Sequence, residues 1–244
     1  YKDFFLSTQN LVIKVARSGK MSDVRLNSTE PFAHHSCIEK LEFSWPGKSQ
    51  ALATAQTPCA KSLQPVVADS VDWDNTGNLY IEGDNLDALK LLKKEYCAQI
   101  KMVYIDPPYN TGKDFIFNDR YAGTQCGEYP WLDMLYARLI LTRELLREDG
   151  VIFISIDDHE VDNLRKICDE VFGRSNFVAT IIWERAHAPV NTRKHFSQNH
   201  DYVVVYAKEI DKLVSNGLSR TSQTNERYSN PDNDPRGVWQ SDNL

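Results

Sequence analysis

One run constrains the fold more than any other. Val151-Ile152-Phe153-Ile154-Ser155-Ile156 is almost continuously apolar and rich in β-branched residues. A strand with one wet face alternates apolar and polar positions. This one does not, so it reads as a strand covered on both faces, as in parallel sheets flanked by helices. Its neighbours agree. Trp131–Arg147 places Leu132, Leu135, Leu139 and Leu146 on one helical stripe, with Gly150 after its end. Asp157 with Glu160 reads as a capping box for a helix carrying Leu164, Ile167, Cys168 and Val171, stopped at Gly173. Upstream, Leu79-Tyr80-Ile81 reads as a strand broken by Gly83. Asp84 then caps a helix with Leu86, Leu89, Leu92 and Tyr96 at helical spacing and Asp87 in its first turn. Met102–Ile105, Phe177–Trp183 and Tyr202–Ala207 supply further strands. Strands alternating with helices predict an α/β, three-layer architecture with a largely parallel sheet.

The chain has 244 residues, 41% hydrophobic and 25% charged. That composition excludes collagen-like, coiled-coil and wholly disordered chains. The organisation expected is an N-terminal extension over 1–75, partly irregular, a catalytic domain over 76–210, and a polar segment over 211–244. No run approaches the roughly 20 apolar residues of a membrane helix, and no signal segment opens the chain, so a cytoplasmic location without membrane contact is the default expectation. The five cysteines, Cys37, Cys59, Cys97, Cys126 and Cys168, show no C-x-x-C pair, so neither a disulfide framework nor a metal site is indicated. A net charge of −6 confines any nucleic-acid surface to a local patch. Gly47-Lys48-Ser49 is no phosphate loop, because Glu42 stands where that loop needs glycine. Trp45-Pro46-Gly47-Lys48 reads as a turn.

In open α/β sheets ligands sit beyond the carboxyl ends of the strands, where this sequence places Asp84, Asp106 and Asp157. Capping alone explains Asp84 and Asp157. Asp106-Pro107-Pro108-Tyr109 goes further. Two prolines fix the backbone, restrict the residues before them and remove two N–H donors. What remains is a rigid acceptor patch, one carboxylate and one backbone carbonyl, beside an aromatic ring. Such a patch suits a planar amine: it receives two N–H groups while the ring stacks on the π-face. The polar loop that follows, from Asn110 to about Tyr129, is long enough to suggest function.

Asp106-Pro107-Pro108-Tyr109-Asn110-Thr111-Gly112 resembles the catalytic motif of amino-group DNA methyltransferases. With Asn78 to Leu86 before it, Gly150 to Asp158 after it, and Trp45-Pro46-Gly47-Lys48, the series from Trp45 to Trp239 is similar to the modification subunits of type III restriction–modification systems, in their N-terminal portion. The resemblance implies a methyltransferase fold, incomplete in this chain. It also implies methyl transfer from S-adenosylmethionine to N6 of an adenine flipped out of double-stranded DNA. Asp106 and the Pro107 carbonyl would accept the amino hydrogens, with Pro108 stiffening the turn and Tyr109 stacking on the base. Asp84 and Asn85 would contact the cofactor, with Asp157 at the mouth of the pocket. A restriction subunit and a second copy of the chain are the protein partners implied. The family's Phe-x-Gly-x-Gly cofactor motif is not found; Phe172-Gly173-Arg174-Ser175-Asn176, the nearest string, follows a helix. In the order with the catalytic motif first, that motif follows the target-recognition region. The chain is therefore expected to lack some sheet strands, to expose a strand edge, and to bind cofactor weakly on its own.

Two alternatives stay open: a cytosine-N4 or RNA methyltransferase of the same fold, and a catalytically silent DNA-binding fragment. The loop Glu184–Asp201 carries Arg185, His187, Arg193, Lys194, His195 and His200; it suits phosphate contact better than a metal, with a plain solvated loop as the other reading. Trp131 and Tyr136 read as core. The polar tail with Arg227, Tyr228, Arg236 and Trp239 reads either as the start of a DNA-recognition region or as a segment disordered without its continuation.

Overall fold

A computed structural model of the chain describes residues 42–113, 119, 121, 129–185, 196, 198–217, 219, 221, 226 and 228–240, and the backbone of 2–6 and 10–15. Two compact units form, Tyr1–Leu213 and Val214–Leu244.

The first unit holds a seven-stranded sheet in the order β3-β2-β1-β4-β5-β7-β6. Its strands are β1 (Lys2–Leu6), β2 (Asn10–Val15), β3 (Asn78–Glu82), β4 (Ile100–Ile105), β5 (Leu146–Ile156), β6 (Phe177–Glu184) and β7 (His200–Ala207). The sheet is mixed, which corrects the largely parallel one expected. Only β1–β4 and β4–β5 pair in parallel. β2 and β7 run against both of their neighbours. The reversal of β2 follows from chain length: a three-residue link can join β1 and β2 only as an antiparallel pair. The β1–β2 hairpin also sits between β3 and β4, so β4 has no exposed edge. Stretch 1–75, expected as an extension, supplies this hairpin and a helix of the same unit.

Four helices cover one face: α1 (Lys48–Gln56), α2 (Asn85–Tyr96), α3 (Pro130–Leu145) and α4 (Val161–Cys168). α3 touches each of the other three and is the centre of the layer. It buries Trp131, Leu132, Leu135, Tyr136, Leu139 and Leu145 among others, nearly all round its circumference. A helix apolar on every side is one enclosed on every side. α3 ends at Leu145 because Leu146 already pairs with Ile100 of β4. The strand period divides the remaining core. Val103, Ile105, Ile152, Ile154, Ile156, Val204 and Tyr206 meet the helices. Val151 and Phe153 with Met102, Tyr104, Val203 and Val205 turn to the opposite face, where, among the described residues, Leu213 is the only one from outside the sheet that joins them. Among the described residues the unit has two layers, and the second helical layer of the expected three is not among them.

Asp84 caps α2 as expected, its carboxylate accepting from the amides of Leu86 (2.9 Å) and Asp87 (3.1 Å). The expected capping box at α4 does not form. Glu160 is itself the residue before the helix, and no side chain caps it. Among the described residues no helix is long and apolar enough to cross a membrane. The second unit is small: a Ser229–Trp239 bridge closes a turn in which Arg236 is held by Asp234 at 2.9 Å. Arg227 lies outside the described residues.

Gly150 lies at the register shift between the Leu146–Ile100 and Val151–Met102 pairs of β5 and β4. A Cβ there would lie 2.8 Å from the Arg147 carbonyl and 3.1 Å from that of Ile100, both backbone atoms. Gly150→Ala should cost about 1–3 kcal/mol of stability, as overpacked sites do, measured by urea denaturation.

Candidate active site

The order of the strands reverses between β1 and β4, the position at which an open α/β sheet leaves a crevice at its carboxyl ends. Asp106-Pro107-Pro108-Tyr109 lies there, directly after β4. Both prolines are buried. The Pro108 carbonyl accepts a 2.7 Å hydrogen bond from the indole N–H of Trp131, itself buried in the first turn of α3. The Tyr109 hydroxyl donates to Asp106 Oδ1 at 3.1 Å.

Two cavities meet at this turn. The larger, about 310 Å³, is lined by Tyr104, Asp106, Tyr109, Ser155, Trp183 and Asp201 among others. It falls in the size range of small-molecule sites. The smaller, about 50 Å³, is bounded by Asn85, Asp106, Pro107, Pro108, Tyr121 and Arg138 among others. It has room for a few water molecules and no more. Asp106 is shared by both.

The electrostatics follow from crowding. Protein packed around Asp106 raises its carboxyl above the ordinary carboxylate range; the Tyr109 hydroxyl opposes this and the nearby charge of Asp201 adds to it. The Tyr109 phenol is pushed up by burial and by the Asp106 charge, so it remains a donor. Asp201 is also raised by burial, against the pull of Arg185, which pairs with it at 3.1 Å.

The loop after the turn is tied down. Asn110 has φ 58. Its amide N–H donates to Asp119 Oδ1 (2.8 Å), its Nδ2 to Glu160 Oε1 (2.6 Å), and its Oδ1 accepts from the Tyr121 amide (2.8 Å).

The expected site residues divide as follows. Asp106, Pro107, Pro108 and Asn85 come together at the smaller cavity, and Asp106 and Tyr109 at the larger. Asp84 lines neither; it reaches the site through Arg138, which lies 3.7 Å from its carboxylate and donates to Asn85 Oδ1 at 2.6 Å. Asp157 also lines neither. Its carboxylate closes a local turn with the His159 amide (2.9 Å) and ring (2.8 Å). Of the basic loop, Arg185 is engaged by Asp201 and the Gln198 carbonyl. His200 opens β7 against Tyr202, while His187, Arg193, Lys194 and His195 lie outside the described residues.

Four participants escape the sequence reading: Arg138, Asp119, Trp183 and Asp201. Arg138, set among the leucines of α3, was the one available signal, because an enclosed cation needs partners. Trp183 and Asp201 carried none, since they stand near the end of β6 and the start of β7, 18 residues apart in sequence, and only pairing brings them together. Trp131, read as core, is core and also holds the motif.

Comparison with known proteins places the chain. The family model described as DNA methylase matches residues 100–244. The Mod subunit of the type III restriction-modification enzyme EcoP15I of Escherichia coli is 36% identical over 212 residues, covering 75% of this chain and 33% of that protein. The EcoPI Mod subunit of Escherichia phage P1 is 39% identical over 201 residues, covering 71% and 31%. The type II methyltransferase M.KpnI of Klebsiella pneumoniae is 34% identical over 152 residues, covering 61% and 35%. The chain belongs to the DNA methylase family. It spans about a third of the length of these relatives.

Trp131→Phe would keep the ring and leave the buried Pro108 carbonyl without its donor. A loss of about 1–3 kcal/mol is expected, the cost of a buried unsatisfied acceptor, read from chemical denaturation.

Proposed function

We propose that the protein transfers a methyl group from S-adenosylmethionine to N6 of an adenine turned out of double-stranded DNA, as the modifying component of a restriction–modification system. The observation that supports this most is the position of Asp106, shared by two cavities at the crevice of the sheet. An aromatic amine is a poor nucleophile because its lone pair is delocalised into the ring. Two acceptors for its hydrogens favour the pyramidal amine and return the lone pair to nitrogen. In this reading one acceptor is the Asp106 carboxylate and the other is the Pro107 carbonyl. The Pro108 carbonyl is already taken by Trp131, and among the described residues no donor reaches that of Pro107. As the methyl group arrives, positive charge develops on nitrogen, and the Asp106 carboxylate stabilises it. The larger cavity takes the base, with Tyr109 on its face and Trp183 at its rim. The modifying role in a restriction–modification system, and with it a restriction subunit as partner, is taken from the relatives named as Mod subunits.

S-adenosylmethionine would supply the methyl group on a cationic sulfur. The smaller cavity offers chemistry that fits it, the Asn85 amide and the Asp106 carboxylate, but not the volume. These residues are one wall of a donor pocket. Calorimetry of the cofactor against this 244-residue chain alone should therefore show no binding at micromolar Kd. Tight binding would mean that the donor pocket lies elsewhere in the chain.

In the full-length protein, Asp106→Ala should abolish methyl transfer while sparing DNA affinity, which phosphate contacts dominate. Nucleoside analysis of the treated DNA identifies the product, and cytosine methylation or near-normal turnover would refute the assignment. The transfer needs Asp106 ionised, and its pKa is raised. Activity should thus fall on the acid side at a pH above the ordinary carboxylate value and rise as pH increases through that limb, seen in the kcat profile.

A further inference from the structure

Three successive amides after the catalytic turn converge on one residue. Asn110 N–H donates to Asp119 Oδ1 at 2.8 Å, Thr111 N–H to Asp119 Oδ2 at 3.0 Å, and Gly112 N–H to the Asp119 carbonyl at 3.2 Å. The Thr111 hydroxyl donates to the same Oδ2. Asn110 (φ 58) and Gly112 (φ 72) are both left-handed, with Thr111 between them. Consecutive N–H groups bent this way form a concavity that binds an anion. Here the anion is the protein's own, and it is 1% exposed. A carboxylate that deeply buried is costly unless its lone pairs are used, and three donors use them.

The anchor begins at the residue after Tyr109. Upstream the turn is held by the Trp131 indole on Pro108. Glu160, 9% exposed at the head of α4, adds a second hold on the Asn110 side chain and is itself steadied by Asn163 at 2.8 Å. Tyr109 is thus clamped on both sides, and its hydroxyl meets Asp106 from between the clamps.

We propose that Asp119 is a positioning residue for methyl transfer: by holding the amides of Asn110, Thr111 and Gly112 it sets the chain leaving Tyr109, and so the geometry of Tyr109 against Asp106. The inference rests on the methyl-transfer reading of that pair. An amide in place of the carboxylate cannot serve, since it offers one oxygen to donors that occupy two.

The test uses the full-length protein with Asp106→Ala as the reference. Asp119→Asn should lower kcat about 10- to 100-fold per folded molecule, the scale of a reacting group displaced by about 1 Å, with KM for DNA unchanged. The acid limb of its kcat profile should move to higher pH, because the Tyr109 hydroxyl that favours the Asp106 carboxylate is no longer held in place. Thr111→Val, which removes one donor and keeps the side-chain shape, should show the same changes in smaller measure, and Thr111→Ser should behave as the unsubstituted protein. A merely structural Asp119 would lower the melting temperature and leave kcat per folded molecule and the acid limb where they were; that result overturns the proposal. If Asp119→Asn fails to fold, Thr111→Val decides by the same two readouts. An active Asp106→Ala would instead refute the reading beneath it. An inactive Asp106→Ala with normal Asp119→Asn and Thr111→Val would refute the positioning role alone.

Discussion

Two adjacent prolines at the end of β4 leave a stretch of backbone with acceptors and no donors, and much of the site is organised around that deficit. A buried carbonyl must find a partner. For Pro108 the partner is the indole of Trp131, in the first turn of α3. That single bond fixes the start of α3 against the turn, and α3 is the helix that touches all three others. The core and the site therefore share one anchor. The Pro107 carbonyl has no such partner among the described residues, which is what the proposed amine acceptor requires.

The site is also shaped by an unusual concentration of carboxylates near apolar surface. Asp106 and Asp201 line one cavity; burial raises both, and the charge of Asp201 raises Asp106 further. Such a pair would neutralise itself without compensation. Arg185 offsets the charge of Asp201 from the far side, and the Tyr109 hydroxyl favours the ionised form of Asp106 directly. The arrangement keeps a carboxylate available at a partly enclosed position, as an amine acceptor requires. Asp119 meets the same problem by another means, taking backbone amides instead of a cation.

Much of this was legible in the chain. The apolar run at Val151–Ile156 sits in β5, flanked by α3 and α4 as its neighbours indicated. Asp84 does cap a helix, and Asp106 does follow a strand at a switch point. The errors share a cause. Capping at Asp157 was inferred from a local pattern that fits a helix start, but Glu160 was drawn away to Asn110, 50 residues distant in sequence. The parallel sheet was inferred from strand–helix alternation, which says nothing about the hairpin inserted between β3 and β4. Arg138 was passed over because its partners, Asp84 and Asn85, lie on another element.

By itself the sequence determined what local chemistry controls: where strands and helices begin, which faces are apolar, and the rigid turn with its carboxylate and ring. Those depend on residues a few positions apart, whose periods and backbone limits act within one element. Only the tertiary structure decided what depends on distant residues meeting. It set the direction of β2 and β7, the joining of Trp183 and Asp201 to Tyr109 around one cavity, and the closing of Asp119 on the amides that follow the turn. The reason is that pairing and burial reward contacts whatever their separation along the chain, so their outcome is written in no single segment.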